Sequence, residues 1–171
     1  MNMAALAKLK AVFKEGGSTT AGNASQVSDG AAAVLLMRRS KAREMGVKPL
    51  ARFHTYNVTG VAPDIMGIGP AVAIPNALKS AGLQISDIGH FELNEAFASQ
   101  ATYCIDNLGL NKDIVNPLGG AIALGHPLGC TGSRQVATML PHMKRNNIKY
   151  GVVSMCIGTG MGAAAIIENE Q

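Results

Sequence analysis

Aromatic residues make up only 4% of the 171 positions of this chain, and none is tryptophan. That scarcity argues against a groove for single-stranded nucleic acid, where basic side chains must alternate with rings on which bases stack. Long apolar runs are missing too: 30–37 and 161–167 are strand-sized and fall well short of the roughly 18 residues that cross a bilayer. No membrane span is expected. Cys104, Cys130 and Cys156 form no CxxC pair, and none stands at zinc spacing from a histidine. Neither a disulfide framework nor a metal site is therefore expected, and a reducing compartment fits best. Charge is low at 15% of residues, the opposite of the charged, weakly hydrophobic composition that keeps a chain disordered.

Present instead are 47% hydrophobic residues and 20 glycines, enough to bury one core of Ala, Val, Ile, Leu and Met around tight turns. The net charge of +4 gathers near Lys8 and Lys14, between Arg38 and Arg52, and at Lys144, Arg145 and Lys149. The opening MNMAALAKLKAVFKEGG is basic and amphipathic, but it has no arginine, and its hydroxyl residues come only after Gly17. It reads as an ordinary helix rather than a transit peptide.

Along the chain, segments with strand and helix periodicity alternate, which predicts an α/β fold. STTAGNASQVSDG is dense in hydroxyls and glycine and reads as an ordered loop. Residues 31–37 read as a buried strand, and SKAREMG as a helix with Ser40 as N-cap and Gly46 at its end. LARFHTYNV reads as a strand, VAPDIMGIGP as a loop, AVAIPNALKSAG as a helix closed by Gly82, and IGHFEL as a short strand. A helix is expected over 95–108, with Asn94 at the junction where it could serve as N-cap. Residues 116–132 hold five glycines and two prolines and read as loop, followed by a helix over about 133–144. YGVVSMC and GAAAIIE, separated by IGTGM, predict an antiparallel pair.

Nucleotide sites fit poorly. GTGMG is followed by only nine residues, too few for the helix, strand and acidic residue of a dinucleotide fingerprint. GHPLGCTG precedes a helix but lacks the lysine of a P-loop. Three polar residues at strand ends and glycine loops remain: Asn94, His126 and Cys156. Each has a plain structural alternative, as a helix cap, a hydrogen-bonded loop histidine and a small buried hydrophobe respectively. Together they are an amide donor, a base and a thiol, the parts that acyl transfer requires.

GNASQVSDGAAA, NEAFASQA, NPLGGAIALGHPLGCTG and CIGTGMGAAAI, in that order, closely resemble thiolases, in particular the 3-ketoacyl-CoA thiolases of peroxisomal type. The resemblance implies a thiolase-like α/β fold: the C-terminal half, a mixed sheet flanked by helices, with a partial piece of the N-terminal half. It places residues 1–17 in the tail of a loop domain, 18–48 in the last strand and helix of the N-terminal domain, and 49–171 in the C-terminal domain. It also implies thiolytic cleavage of 3-ketoacyl-CoA in fatty-acid β-oxidation, with coenzyme A as substrate and no cofactor. His126 would activate a nucleophilic cysteine and bind the thioester oxygen, Asn94 would hold a water completing the first oxyanion hole, and Cys156 would shuttle protons. The Gly158 N–H would line the second oxyanion hole, and Ser25, Met66, Ala96 and Phe97 would line the pantetheine tunnel.

By the same resemblance the acyl-accepting cysteine belongs to an N-terminal half outside these residues, so the isolated chain is expected to be inactive. Neither Cys104 nor Cys130 is assigned to acylation. The strand at 31–37 would belong to a sheet whose other strands are absent, leaving apolar surface exposed. Alternatives are a biosynthetic acetoacetyl-CoA thiolase, a non-catalytic partner of a full-length thiolase subunit, and a non-catalytic acyl-CoA binder. Expected partners are acyl-CoA and CoA, a second copy as in the family's dimers, and an N-terminal half or full-length subunit. No nucleic acid or membrane is expected as a partner. The resemblance implies a peroxisomal location, with mitochondrial and cytosolic ones open; the final Asn169-Glu170-Gln171 is not an SKL-type address.

Overall fold

The computed structural model describes residues 2–171. Its centre is a four-stranded mixed sheet made of β1 (Ala51–Gly60), β2 (Ile88–Leu93), β3 (Tyr150–Ile157) and β4 (Met161–Asn169), in spatial order β1-β4-β3-β2. β3 and β4 form the expected antiparallel hairpin, β1 adds antiparallel to β4, and β2 runs parallel to β3. Side chains alternate across a strand, so the two central strands feed two cores. Val152, Ala164 and Ile166 face one layer of helices, α3 (Gly69–Ala81) and α4 (Ala98–Leu108), whose Ile74, Leu78, Ala101 and Cys104 close over them. Val153, Ala165 and Ile167 face the opposite side, where α6 (Thr131–Arg145) contributes Met139 and Met143. A strand covered on both faces reads as a continuous apolar run, which is why 161–167 is so hydrophobic.

Glycine sets two close approaches in this sandwich. Gly151 leaves room for the sulfurs of Met139 and Met143, and Gly162 lies so near Gly69 that a Cβ on either would strike the other's backbone. The second contact seats the start of α3 on the start of β4.

Several local expectations are corrected. Residues 31–37 make no strand: they have no ladder partner among the described residues, and Leu35 and Leu36 are 82% and 69% exposed. A strand exists only by pairing, and the sheet ends at β1. The opening helix shrinks to α1 (Met3–Leu6), which buries no residue and so lacks the packed face that sustains a short helix. In α2 (Arg39–Glu44) the cap position is Arg38, with no side-chain cap bond, so Ser40 lies inside the helix instead. Asn94 does not cap α4, which starts four residues later; the Gln100 side chain accepts from the Ala96 N–H instead. Within the glycine loop 116–132, a short helix α5 (Ala121–Leu124) forms. The expected loop before α3 is partly ordered as a 3-10 turn over Pro63–Ile68.

Candidate active site

The carboxyl ends of the parallel strands β2 and β3 lie side by side, where open α/β sheets bind ligands. Asn94 follows directly after β2 and extends its ladder by donating its N–H to the Ser154 carbonyl at 2.9 Å. Its side chain is 1% exposed, and its Oδ1 has no partner within the protein. Its Nδ2 reaches His126 Nε2 at 3.3 Å.

His126 arrives on the glycine loop, which several bonds hold against β2. Asn116, at φ 47°, accepts from the Leu93 N–H at 2.9 Å and donates to the Leu93 carbonyl and to Glu95 Oε1, both at 2.8 Å. The other Glu95 oxygen accepts from the Ile122 N–H, and Gly120 passes too close to that carboxylate to carry a Cβ. The His126 backbone is fixed in turn by donation to the Gln26 carbonyl at 2.8 Å. Gly125 before it sits at φ 100°, a conformation that favours glycine.

The tautomer of His126 follows from its neighbours. Thr131 Oγ1 donates its single proton to the Pro127 carbonyl at 3.1 Å, so toward His126 Nδ1, 2.9 Å away, it can only accept. Nδ1 therefore carries the hydrogen, and the Nε2 lone pair accepts from the Asn94 amide. Burial first and the Arg134 guanidinium second hold the histidine below its ordinary pKa. A neutral imidazole with a basic Nε2 beside an unpaired amide oxygen can take a proton from an acid and hold a water.

Cys156 lies near the end of β3, paired with Gly162, and burial pushes its thiol above the ordinary value. At neutral pH it is a proton donor rather than a thiolate. It shares the sheet end with Asn94 but has no hydrogen bond to Asn94 or His126. Beyond it Thr159 at φ 72° and Gly160 at φ 96° make the turn, and the space at Gly158 is open for 4 Å around a would-be Cβ. Cys104, buried on α4, is pushed up to about 11, chiefly by burial, which makes it inert. Cys130 lies at the start of α6, by a shallow cavity with Ser28, Asp29 and Gly30.

Ser25 donates its hydroxyl and N–H to the Ala96 carbonyl, at 2.9 and 3.0 Å, and Ala24 bridges to Phe97. Phe97 stacks edge-on against Phe13. Gln100 ties this strip to the Met66 turn by donating to the Gly67 carbonyl at 3.2 Å. Ser25, Ala96 and Phe97 thus adjoin one another, and Gln100 links them to the turn that carries Met66. Sequence reasoning did not find Gln100, Glu95, Asn116 or Thr131. Their one signal was polar residues inside glycine loops and the first turns of helices.

Residues 47–169 match the model of the thiolase C-terminal domain, and residues 1–40 that of the thiolase N-terminal domain. The chain belongs to the thiolase family. A rat protein named 3-ketoacyl-CoA thiolase B, peroxisomal, is 69% identical over 97% of this chain and 39% of its own length. The chain thus spans about two fifths of the length of the curated thiolases it matches. Among solved structures, the dimeric peroxisomal thiolase of Saccharomyces cerevisiae superposes with a TM-score of 0.93 at 57% identity, over 99% of this chain and 43% of that one. The human mitochondrial 3-ketoacyl-CoA thiolase in complex with CoA superposes at 0.92 with 45% identity, over 99% and 43%. The thiolase half seen here carries a base, an amide and a thiol at one sheet end, and among the described residues none of its three cysteines hydrogen-bonds to His126.

Proposed function

We propose that these residues form the histidine, asparagine and proton-shuttling cysteine portion of a 3-ketoacyl-CoA thiolase site. The acyl-accepting cysteine comes from the N-terminal half of the fold. The observation that carries the reading is the Thr131–His126–Asn94 chain, which leaves a basic Nε2 beside an orphaned amide oxygen at the sheet end that Cys156 shares. His126 Nε2 takes the proton of the incoming thiol. The thiolate attacks the keto carbon of 3-ketoacyl-CoA, and a water held by Asn94 together with His126 shelters the charge on the carbonyl oxygen. The C2–C3 bond breaks, the acyl group stays on the nucleophile, and the carbanion at C2 takes the Cys156 proton, releasing acetyl-CoA. Cys156, now a thiolate, takes the proton of free CoA. The CoA thiolate attacks the acyl-enzyme and leaves as the shortened acyl-CoA, and the released nucleophile thiolate takes back the proton held by His126.

Coenzyme A is a substrate in this reading, and no cofactor is needed. The Gly158 N–H serves the second oxyanion hole, and Ser25, Met66, Ala96 and Phe97 border the pantetheine arm. Residues 1–17 belong to a loop domain, 18–48 to the N-terminal domain and 49–171 to the C-terminal domain; the matches over 1–40 and 47–169 support that division. The peroxisomal names of the relatives favour peroxisomal β-oxidation, and the yeast dimer favours a dimeric assembly.

The test is turnover of 3-ketoacyl-CoA with free CoA. The chain alone is expected to be silent, and adding the N-terminal half of a relative should restore thiolysis. In the restored complex, Cys156→Ala should cost about 10²- to 10⁴-fold, the usual worth of a positioned acid/base. Turnover by the isolated chain, or a restored complex indifferent to Cys156→Ala, would overturn the reading. A second reading, a non-catalytic partner of a full-length subunit, is favoured by the exposed Leu35 and Leu36. Co-expression with such a subunit should then yield a stable mixed complex whose turnover does not depend on His126.

A further inference from the structure

Two residues before Asn94, on the α6 side of β2, Glu92 lies fully buried. One carboxylate oxygen accepts from His90 Nε2 at 3.0 Å and the other from Arg134 Nη1 at 2.9 Å, while its backbone carbonyl accepts from Gln135 Nε2 at 3.0 Å. Arg134 and Gln135 stand one turn along α6 from Thr131, the residue that holds His126 Nδ1. The contacts close a ring that runs from Asn94 to His126, to Thr131, along one turn of α6 to Arg134 and Gln135, across to Glu92, and back along β2 to Asn94. Every link is a hydrogen bond or a covalent step of a few residues. The separation of Asn94 and His126 is thus coupled to the Glu92 contacts. A buried carboxylate is costly unless fully paired, and nothing in the packing of α6 requires one here, since Met139 and Met143 already seat the helix.

We propose that Glu92 is a positioning residue for His126: it pins the Arg134 guanidinium and the first turns of α6, and so fixes both the tautomer and the electrostatic surroundings of the imidazole. The inference rests on the reading of His126 as the site's base. Arg134 is the charged group acting on His126 among the described residues, and it depresses the imidazole. It can do so steadily only if it is held, because a free arginine at 19% side-chain exposure would turn to solvent.

The test is the titration of His126, followed through the imidazole ¹⁵N and ¹H resonances of the full chain without substrate. Arg134→Met should raise the His126 midpoint. Glu92→Met should raise it in the same direction, because Arg134 loses its anchor, and the double variant should go no further than Arg134→Met alone. Glu92→Gln, which keeps an acceptor for Arg134, should fall between Glu92→Met and the unsubstituted chain. A simple charge effect has the opposite sign, since removing a negative group lowers a histidine midpoint. A downward shift, or an unchanged midpoint in the folded variants, overturns the proposal. Should Glu92→Met fail to fold, Glu92→Gln carries the test, with an unchanged or lowered midpoint counting against it. The experiment does not depend on turnover: a reconstituted enzyme that proves inactive leaves these midpoints standing, and unchanged midpoints beside good turnover remove this proposal alone.

Discussion

Thr131 shows how much of the site rests on one hydroxyl. It is buried, donates to the Pro127 carbonyl and accepts from His126, so it joins the loop before α6 to the imidazole ring. Thr131→Val keeps its shape and removes both bonds, leaving a carbonyl and a ring nitrogen short of partners. We expect a loss of about 1–3 kcal/mol in urea unfolding and a mixture of His126 tautomers in ¹⁵N spectra. Thr131→Ser should restore the single tautomer, and a single tautomer in the valine variant would contradict the assignment. His126, Asn94 and Cys156 could be singled out in the sequence because polar groups stand out against glycine and alanine. The structure joins Asn94 to His126 by a hydrogen bond and places Cys156 at the same sheet end. Thr131, Glu95 and Asn116 were not legible, because each acts through a partner brought near by the fold: Asn116 meets Leu93 across 23 residues of chain.

Among elements, the sandwich was readable where the apolar period was long. The β3–β4 hairpin and α3 with its Gly82 stop appear as expected. The segment 31–37 shares the composition of β4 but not its neighbours, and composition cannot distinguish a paired strand from an unpaired one. Between α6 and β2 the sequence gives no warning of a polar seam. The Glu92 carboxylate can only accept, so His90 Nε2 carries a hydrogen. His90 Nδ1 and His142 Nδ1 lie 3.0 Å apart, so one of the two carries the hydrogen between them. Burial chiefly, then the charges of His90 and Arg145, lower the His142 pKa, with Glu92 opposing. The folded protein therefore resists a proton that the unfolded chain accepts near its ordinary value of about 6.5. This contribution to stability is present above that pH and is lost as pH falls below it toward the depressed folded value. His142→Gln keeps an N–H for His90 and cannot titrate. Its urea midpoint should fall less steeply than that of the unsubstituted chain on going from about pH 7.5 to 5.5; parallel curves would show that His142 is not responsible.

At the scale of the molecule, the α6 face of the sheet continues into a groove of about 880 Å³, lined by Val34, Leu35, Val47, Leu50, Phe53 and Leu140 among others. Leu35 and Leu36 stand on the segment before α2, within the residues that match the thiolase N-terminal domain model. An apolar ridge of this kind is normally covered in a soluble protein, and in the proposed assembly the rest of the N-terminal half covers it by pairing along 31–37. The ridge lies away from the Asn94–His126 contact, so charge placed on it should separate assembly from chemistry. Leu35→Lys with Leu36→Lys should leave the circular dichroism of the chain and the His126 resonances unchanged, because neither side chain is part of a core. The same variant should lose the complex with an N-terminal half in size-exclusion chromatography, and with it the restored thiolysis. A complex that survives both lysines would show that the two halves meet through another surface and not by pairing along 31–37.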